Sequence, residues 1–187
     1  MEKRINTPLT EAVARSLKAG DRVLLSGTVY TSRDAGHKRL VETISKGEEL
    51  PFELSGAVLF YVGPTPPRPG QVIGAAGPTT SYRMDPYTPI LLENGLKGMI
   101  GKGSRSEEVV ASIKKNGAVY FAAVGGAGAL LSQRVIASEV IAYEDLGTEA
   151  LRRLEVKEFP LFVAVDSEGR DLYLLGPDEY LQQQGEK

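Results

Sequence analysis

The sequence of 187 residues has no cysteine and a single histidine, His37. Without cysteine there are no disulfides, and the thiolates that iron–sulfur and structural zinc sites need are missing. With one histidine lacking a stand-out partner, no Ser–His–Asp set can be argued, and a Cys–His pair is excluded. The longest apolar runs, 57–62 and 159–165, are far too short to cross a bilayer. Residues 1–20 carry Glu2, Lys3, Arg4, Glu11, Arg15 and Lys18 around no apolar centre, so no secretory signal is expected. The formal net charge is -2 with no basic block, which speaks against nucleic acid. These absences lead us to expect a cytoplasmic protein with no membrane or nucleic-acid partner and no metal held by this chain alone.

What is present suits a packed α/β domain. Hydrophobic residues make up 42% and charged residues 25%, enough for a core and too apolar for disorder. The length fits one domain, 1–187, without internal repeats, and the polar tail 177–187 is expected to fray. Thr7-Pro8 reads as the start of a helix that Gly20 stops. Residues 22–30 read as a strand, and Asp34 as the cap of a helix to about Lys46, with Leu40, Val41 and Ile44 on its buried stripe. A short buried strand at 57–62 precedes PTPPRPG, a proline-rich surface loop. Residues 71–75 read as a strand, Asp85-Pro86 as a second cap pair opening a helix that Gly95 closes, and 97–100 as a strand. Ser104 is expected to cap a helix ending at Asn116-Gly117, followed by a strand at 118–124 that stops at Gly125-Gly126. The next segment should begin helical and finish as a strand near 135–143. A short helix at 148–154 and a hairpin of 159–166 with 171–175 complete the reading. Helices and strands alternate and strands dominate the end, which predicts layers around a mixed sheet.

The chemistry concentrates in residues 74–103, GAAGPTTSYRMDPYTPILLENGLKGMIGKG. Two adjacent hydroxyls, Thr79 and Thr80, lie beside Arg83, and Lys102 follows among glycines. Arg33 stands just after the first predicted strand. In open α/β sheets ligands gather at the carboxyl ends of strands. Three cations at three such ends could converge on one anion, arginine forks suiting carboxylates and lysine a single oxygen. A solvated surface charge explains any one of them alone. A simple turn explains the threonine pair after Gly-Pro. His37 lies one turn after Asp34 and reads more readily as structural than as a pH-active group. Asp85 reads most simply as a cap. Glu144 and Asp145 beside Tyr143 read as solvated carboxylates at a turn. Nucleotide motifs fail: around Gly101-Lys102 the P-loop positions hold Leu96 and Gly103, and a dinucleotide fingerprint from Gly126 and Gly128 meets Leu131.

Read together, LSGTVYTSRDAGHKR, GPTTSYRMDPYTP, GLKGMIGKG, the Gly125–Ala127 segment, VIAYEDLG and FPLFVAVDSEGRDLY resemble the beta subunit, or C-terminal domain, of class I iron–sulfur fumarate hydratase and its sister, L(+)-tartrate dehydratase. The strings span Leu25 to Tyr173, and GPTTS-x-RMDPYTP and IGKG are long and unusual. Tyr82 stands where much of the family has glycine, which narrows the rim of the site. The resemblance implies a swivelling β/β/α domain. It implies a hydro-lyase active only with an alpha subunit, whose three cysteines hold a 4Fe–4S cluster with one open, Lewis-acidic iron, in an α2β2 heterotetramer. The beta chain in isolation could form a homodimer. The implied reaction, of the tricarboxylic acid cycle, is reversible hydration of fumarate to L-malate. By similarity Arg33, Arg83 and Lys102 grip the dicarboxylate, Thr80 binds it, and Thr79 takes part in proton transfer, with Arg33 and Lys102 in the catalytic set. His37, Asp34 and Asp85 support that set. Tartrate as substrate and a non-catalytic anion-binding assembly domain remain open alternatives.

Overall fold

The computed structural model describes residues 2–123 and 126–176. Its centre is a sheet that closes on itself. Strands run β1 (Glu2–Asn6), β2 (Arg22–Thr31), β3 (Val58–Phe60), β4 (Gly98–Gly101), β5 (Val119–Ala122), β6 (Val135–Ala142) and β7 (Leu151–Val165). Their order is β1-β2-β3-β4-β5-β7-β6, and a further pairing of β2 with β7 joins β2, β3, β4, β5 and β7 into a closed, barrel-like ring. β2 through β5 pair in parallel, while β7 is antiparallel to both β5 and β2. The sheet is therefore mixed, as expected.

Side-chain alternation divides the core into two layers. Val58, Phe60, Ile100, Val119 and Phe121 point into one cluster with Leu25, Val29 and Leu161. Leu59, Tyr61, Met99 and Tyr120 point the other way, against Leu40, Leu91, Val109 and Ile113. Those last four lie on α2 (Asp34–Ser45), α3 (Thr88–Glu93) and α4 (Glu107–Asn116) or pack beside them, so the helices cover the outer face. Two further short helices are α1 (Glu11–Ser16) and α5 (Gly128–Ser132), and residues 172–176 are helical as well.

The structure moves several predicted boundaries. Thr10, not Thr7, caps α1, its hydroxyl accepting from the Val13 N–H at 3.2 Å. β1 is a strand that its polar sequence concealed; only Ile5 is buried in it. Asp34 is the first residue of α2 rather than its cap, and Arg33 occupies the cap position without a side-chain capping bond. Residues 71–75 are not a strand, because that stretch pairs locally with the proline-rich loop, Thr65 N–H donating to the Ala75 carbonyl at 3.1 Å. Tyr87 rather than Asp85 precedes α3, after a 3-10 turn over Ser81–Met84, and Ser106 rather than Ser104 caps α4. The helix expected at 148–154 gives way to a 3-10 turn (Glu144–Glu149) and the start of β7, where Leu151, Leu154 and Val156 are buried against polar neighbours. Asp171 meets Val165 only in an isolated bridge, so no hairpin forms there. The expected stop at Gly125 and the tail 177–187 fall outside the described residues.

Candidate functional site

Three neighbouring parallel strands end side by side, and four of the five predicted binding residues stand on those ends or are tied directly to them. β2 runs out at Thr31, and Arg33 stands at the cap position just before α2. β3 runs out at Phe60, and the next residue, Tyr61, accepts through its carbonyl from the Thr79 N–H at 2.7 Å. β4 runs out at Gly101, and Lys102 pairs with Thr80 in an isolated parallel bridge. That bridge is held by the Ser81 N–H donating to the Lys102 carbonyl at 2.9 Å and the Lys102 N–H donating to the Thr79 carbonyl at 3.3 Å. The threonine pair is thus an added rung laid across the ends of β3 and β4. The fifth residue, Arg83, follows in the 3-10 turn. It reaches across to α2, its Nε donating to Asp34 Oδ1 at 2.9 Å and its Nη2 lying 2.9 Å from Oδ2.

The exposures grade the site. Thr79 and Thr80 are half-buried and Lys102 is exposed. The Arg83 side chain is 43% exposed, whereas Arg33 is 22% exposed. Arg33 lies against Gly63, where an added Cβ would come within 2.7 Å of its Nη1. Its Nη2 is 3.5 Å from Glu149 Oε1, a loose pairing, and its Nε has no hydrogen-bond partner among the described residues. Glu149 also accepts from the Ala35 N–H at 3.3 Å, so one carboxylate steadies both the guanidinium and the first turn of α2. Arginines held this way keep donors available for a second anion.

His37 is buried beneath them. Its Nδ1 lies 3.0 Å from the Arg33 carbonyl oxygen and 2.8 Å from Ser32 Oγ, and its ring packs edge-on against Tyr61. Burial pushes its pKa down to about 4, so the imidazole is neutral at pH 7 and supports the Arg33 backbone. Asp85 sits elsewhere: Oδ1 accepts from Arg105 Nε and Oδ2 from the Ser106 N–H, both at 2.7 Å. It fastens the start of α4 rather than Arg33. Asp145, read as solvated, is exposed and holds Arg39 through both oxygens.

Sequence reasoning missed three residues behind the rung. Arg105 is buried, donates to Asp85, Thr88 Oγ1 (2.8 Å) and Tyr61 Oη (3.3 Å), and lies over the Tyr61 and Tyr120 rings. Ser81 Oγ is 2.8 Å from Tyr120 Oη, which donates to the Gly103 carbonyl at 2.8 Å. Gly101 permits this approach, since a Cβ there would fall 1.9 Å from Ser81 Oγ. The only sequence signal was the alternation that sets Tyr120 opposite Val119 and Phe121. Among the described residues no three His, Asp or Glu side chains gather as a metal-ligand set. With cysteine absent as well, the residues of this chain do not fit an iron–sulfur cluster. No helix among the described residues is long and apolar enough to cross a membrane.

Comparison with known proteins adds a family. The model described as "Fumarase C-terminus" matches residues 2–175. The chain is 37% identical over 173 residues to the anaerobic class I fumarate hydratase of Escherichia coli, covering 90% of this chain and 32% of that protein. It is 36% identical over 156 residues to fumarate hydratase 2 of Leishmania major, covering 82% and 28%. It is 36% identical over 171 residues to the putative L(+)-tartrate dehydratase subunit beta of Methanocaldococcus jannaschii, covering 88% of each. The chain spans about a third of the length of the fumarate hydratases it matches.

Proposed function

Because this chain belongs to the fumarase C-terminal family, we propose that it is the dicarboxylate-gripping beta part of an iron–sulfur hydro-lyase that interconverts fumarate and L-malate. The observation that carries this reading is the placement of Arg33, Thr79, Thr80 and Lys102 on the ends of adjacent strands, with Arg83 joined to the same edge through Asp34. Class I fumarate hydratases are among the relatives, and their longer chains contain a further part that this one does not match. The cluster rests with that alpha part. We place the alpha part on a separate subunit, in an α2β2 assembly in the cytoplasm. Support comes from the tartrate relative, which is named as a subunit beta. The closed ring with helices on its outer face is consistent with the swivelling β/β/α arrangement.

In this reading the Arg33 and Arg83 guanidiniums and the Lys102 ammonium bind the two carboxylates. The Thr80 hydroxyl orients the substrate. The proton on the carbon beside a carboxylate is weakly acidic, and removing it builds enediolate-like charge on that carboxylate. Cations already fixed at the carboxylate oxygens lower the cost of that charge. Thr79 is the group set at the proton. A hydroxyl is a weak base, so its action depends on those neighbouring cations. Asp34 keeps Arg83 oriented until substrate arrives, and His37 and Glu149 keep Arg33 in place.

The named M. jannaschii relative supports a second reading, with tartrate as substrate and the same residues in the same roles. The test is turnover by the chain reconstituted with a cysteine-bearing alpha polypeptide. Hydration of fumarate together with dehydration of malate supports the first reading. Activity on tartrate with none on malate moves the substrate to the second. Restored activity with neither dicarboxylate, in the presence of tight anion binding, leaves only an assembly role.

A further inference from the structure

Thr80 and Lys102 come from different segments, yet their positions are joined by a bridge only one residue wide. A single pair is a weak way to hold two reacting groups in register. The residues that follow them, Ser81 and Gly103, are joined a second time, through a side chain. Tyr120 projects from β5 on the face that carries Leu59, Tyr61 and Met99, and it is fully buried. Its hydroxyl donates to the Gly103 carbonyl at 2.8 Å and receives the Ser81 hydroxyl at 2.8 Å. Ser81 is fully buried too, and Gly101 lacks the Cβ that would collide with its oxygen. The Tyr120 ring lies under the Arg105 guanidinium, with 5.0 Å from the guanidinium carbon to the ring centroid. Asp85 and Thr88 fix that guanidinium in turn. The phenol is therefore held at both its face and its oxygen.

We propose that Tyr120 is a positioning residue for the site: its hydroxyl clamps the threonine segment to the lysine segment and sets the separation between Thr80 and Lys102. It touches no substrate and acts through its two neighbours. The inference rests on the reading of Lys102 as a carboxylate grip.

The test is the Tyr120→Phe enzyme, reconstituted with its alpha partner and assayed alone and combined with Lys102→Ala. Removing one oxygen leaves the ring and its packing in place. We expect kcat/KM to fall about tenfold, as the two buried hydrogen bonds of the phenol oxygen are lost and part of their worth is expressed in the transition state. In the Lys102→Ala background the same change should have little further effect, because the group whose position it set is gone. Ser81→Ala breaks the link from its other end and should reproduce the single-variant loss, so the test stands even if Tyr120→Phe folds poorly. A merely structural hydroxyl would lower the melting temperature and leave both kinetic comparisons unchanged. Unchanged kcat/KM in Tyr120→Phe or Ser81→Ala, with a loss in Lys102→Ala, overturns the clamp and keeps the site. Unchanged kcat/KM in Lys102→Ala itself overturns the reading of the site.

Discussion

Arg83 lies before α3 and Arg105 after β4, and the two serve opposite ends. The Arg105 side chain has no exposed surface, and each of its nitrogens donates to a protein oxygen while aromatic rings cover its faces. Arg83 is 43% exposed and spends its contacts on one partner, Asp34. Arg33 lies between the two extremes, mostly covered, loosely paired and with Nε unsatisfied among the described residues. A saturated cation is a structural part, whereas an under-used one at a strand end is available to a ligand. The residue type is the same, and burial together with donor satisfaction separates the roles.

That contrast can be broken by substitution. Arg105→Ala strands the Asp85 carboxylate, only 11% exposed, and should cost about 3–5 kcal/mol in denaturant unfolding. A loss no larger than that of a surface residue would erase the distinction. Arg33→Ala or Arg83→Ala should instead remove about 2–5 kcal/mol of transition-state binding, read as kcat/KM of the reconstituted enzyme. Turnover at the wild-type level would return both to the class of surface charges.

The buried base of the site adds a pH test. Folded His37 takes a proton only near pH 4, while the unfolded chain takes it near 6.5. Its neutral form is favoured by folding, so the associated stability is complete above pH 6.5 and is lost as pH falls toward 4. The loss over that window should approach about 3 kcal/mol and should flatten in His37→Gln. An equal slope in the variant would show that other groups carry the acid sensitivity. The smallest effect belongs to Asp34→Asn. Its pair with Arg83 is partly exposed, so unfolding should shift by under about 1 kcal/mol. A larger shift would mean that the pair is structural, like that of Arg105.

The strand ends were legible in the sequence because glycine, threonine and cations mark them in short, unusual strings. The turn after β4 and the helix stop at Gly117, which is left-handed at φ 58, follow from local chemistry. β1 was hidden because Glu2, Lys3, Arg4 and Asn6 give no apolar alternation; pairing with β2 supplies its reason to exist. The early part of β7 misled for a related cause. Leu151 and Leu154 are spaced as on a helix, and only a strand that borders both β2 and β6 uses them otherwise. Arg105 and Tyr120 could not be assigned from sequence, since their meaning lies in contacts 17 to 44 residues away. Asp85 shows the same limit: its position before proline suggested a local cap, and its carboxylate went to Arg105 and Ser106 instead.

The most direct measurement is a crystal structure of the reconstituted alpha–beta complex with a bound dicarboxylate. The account predicts carboxylate oxygens within hydrogen-bonding distance of Arg33, Arg83 and Lys102, with the Thr79 hydroxyl facing the carbon between them. A dicarboxylate bound in the complex away from all three cations would contradict it.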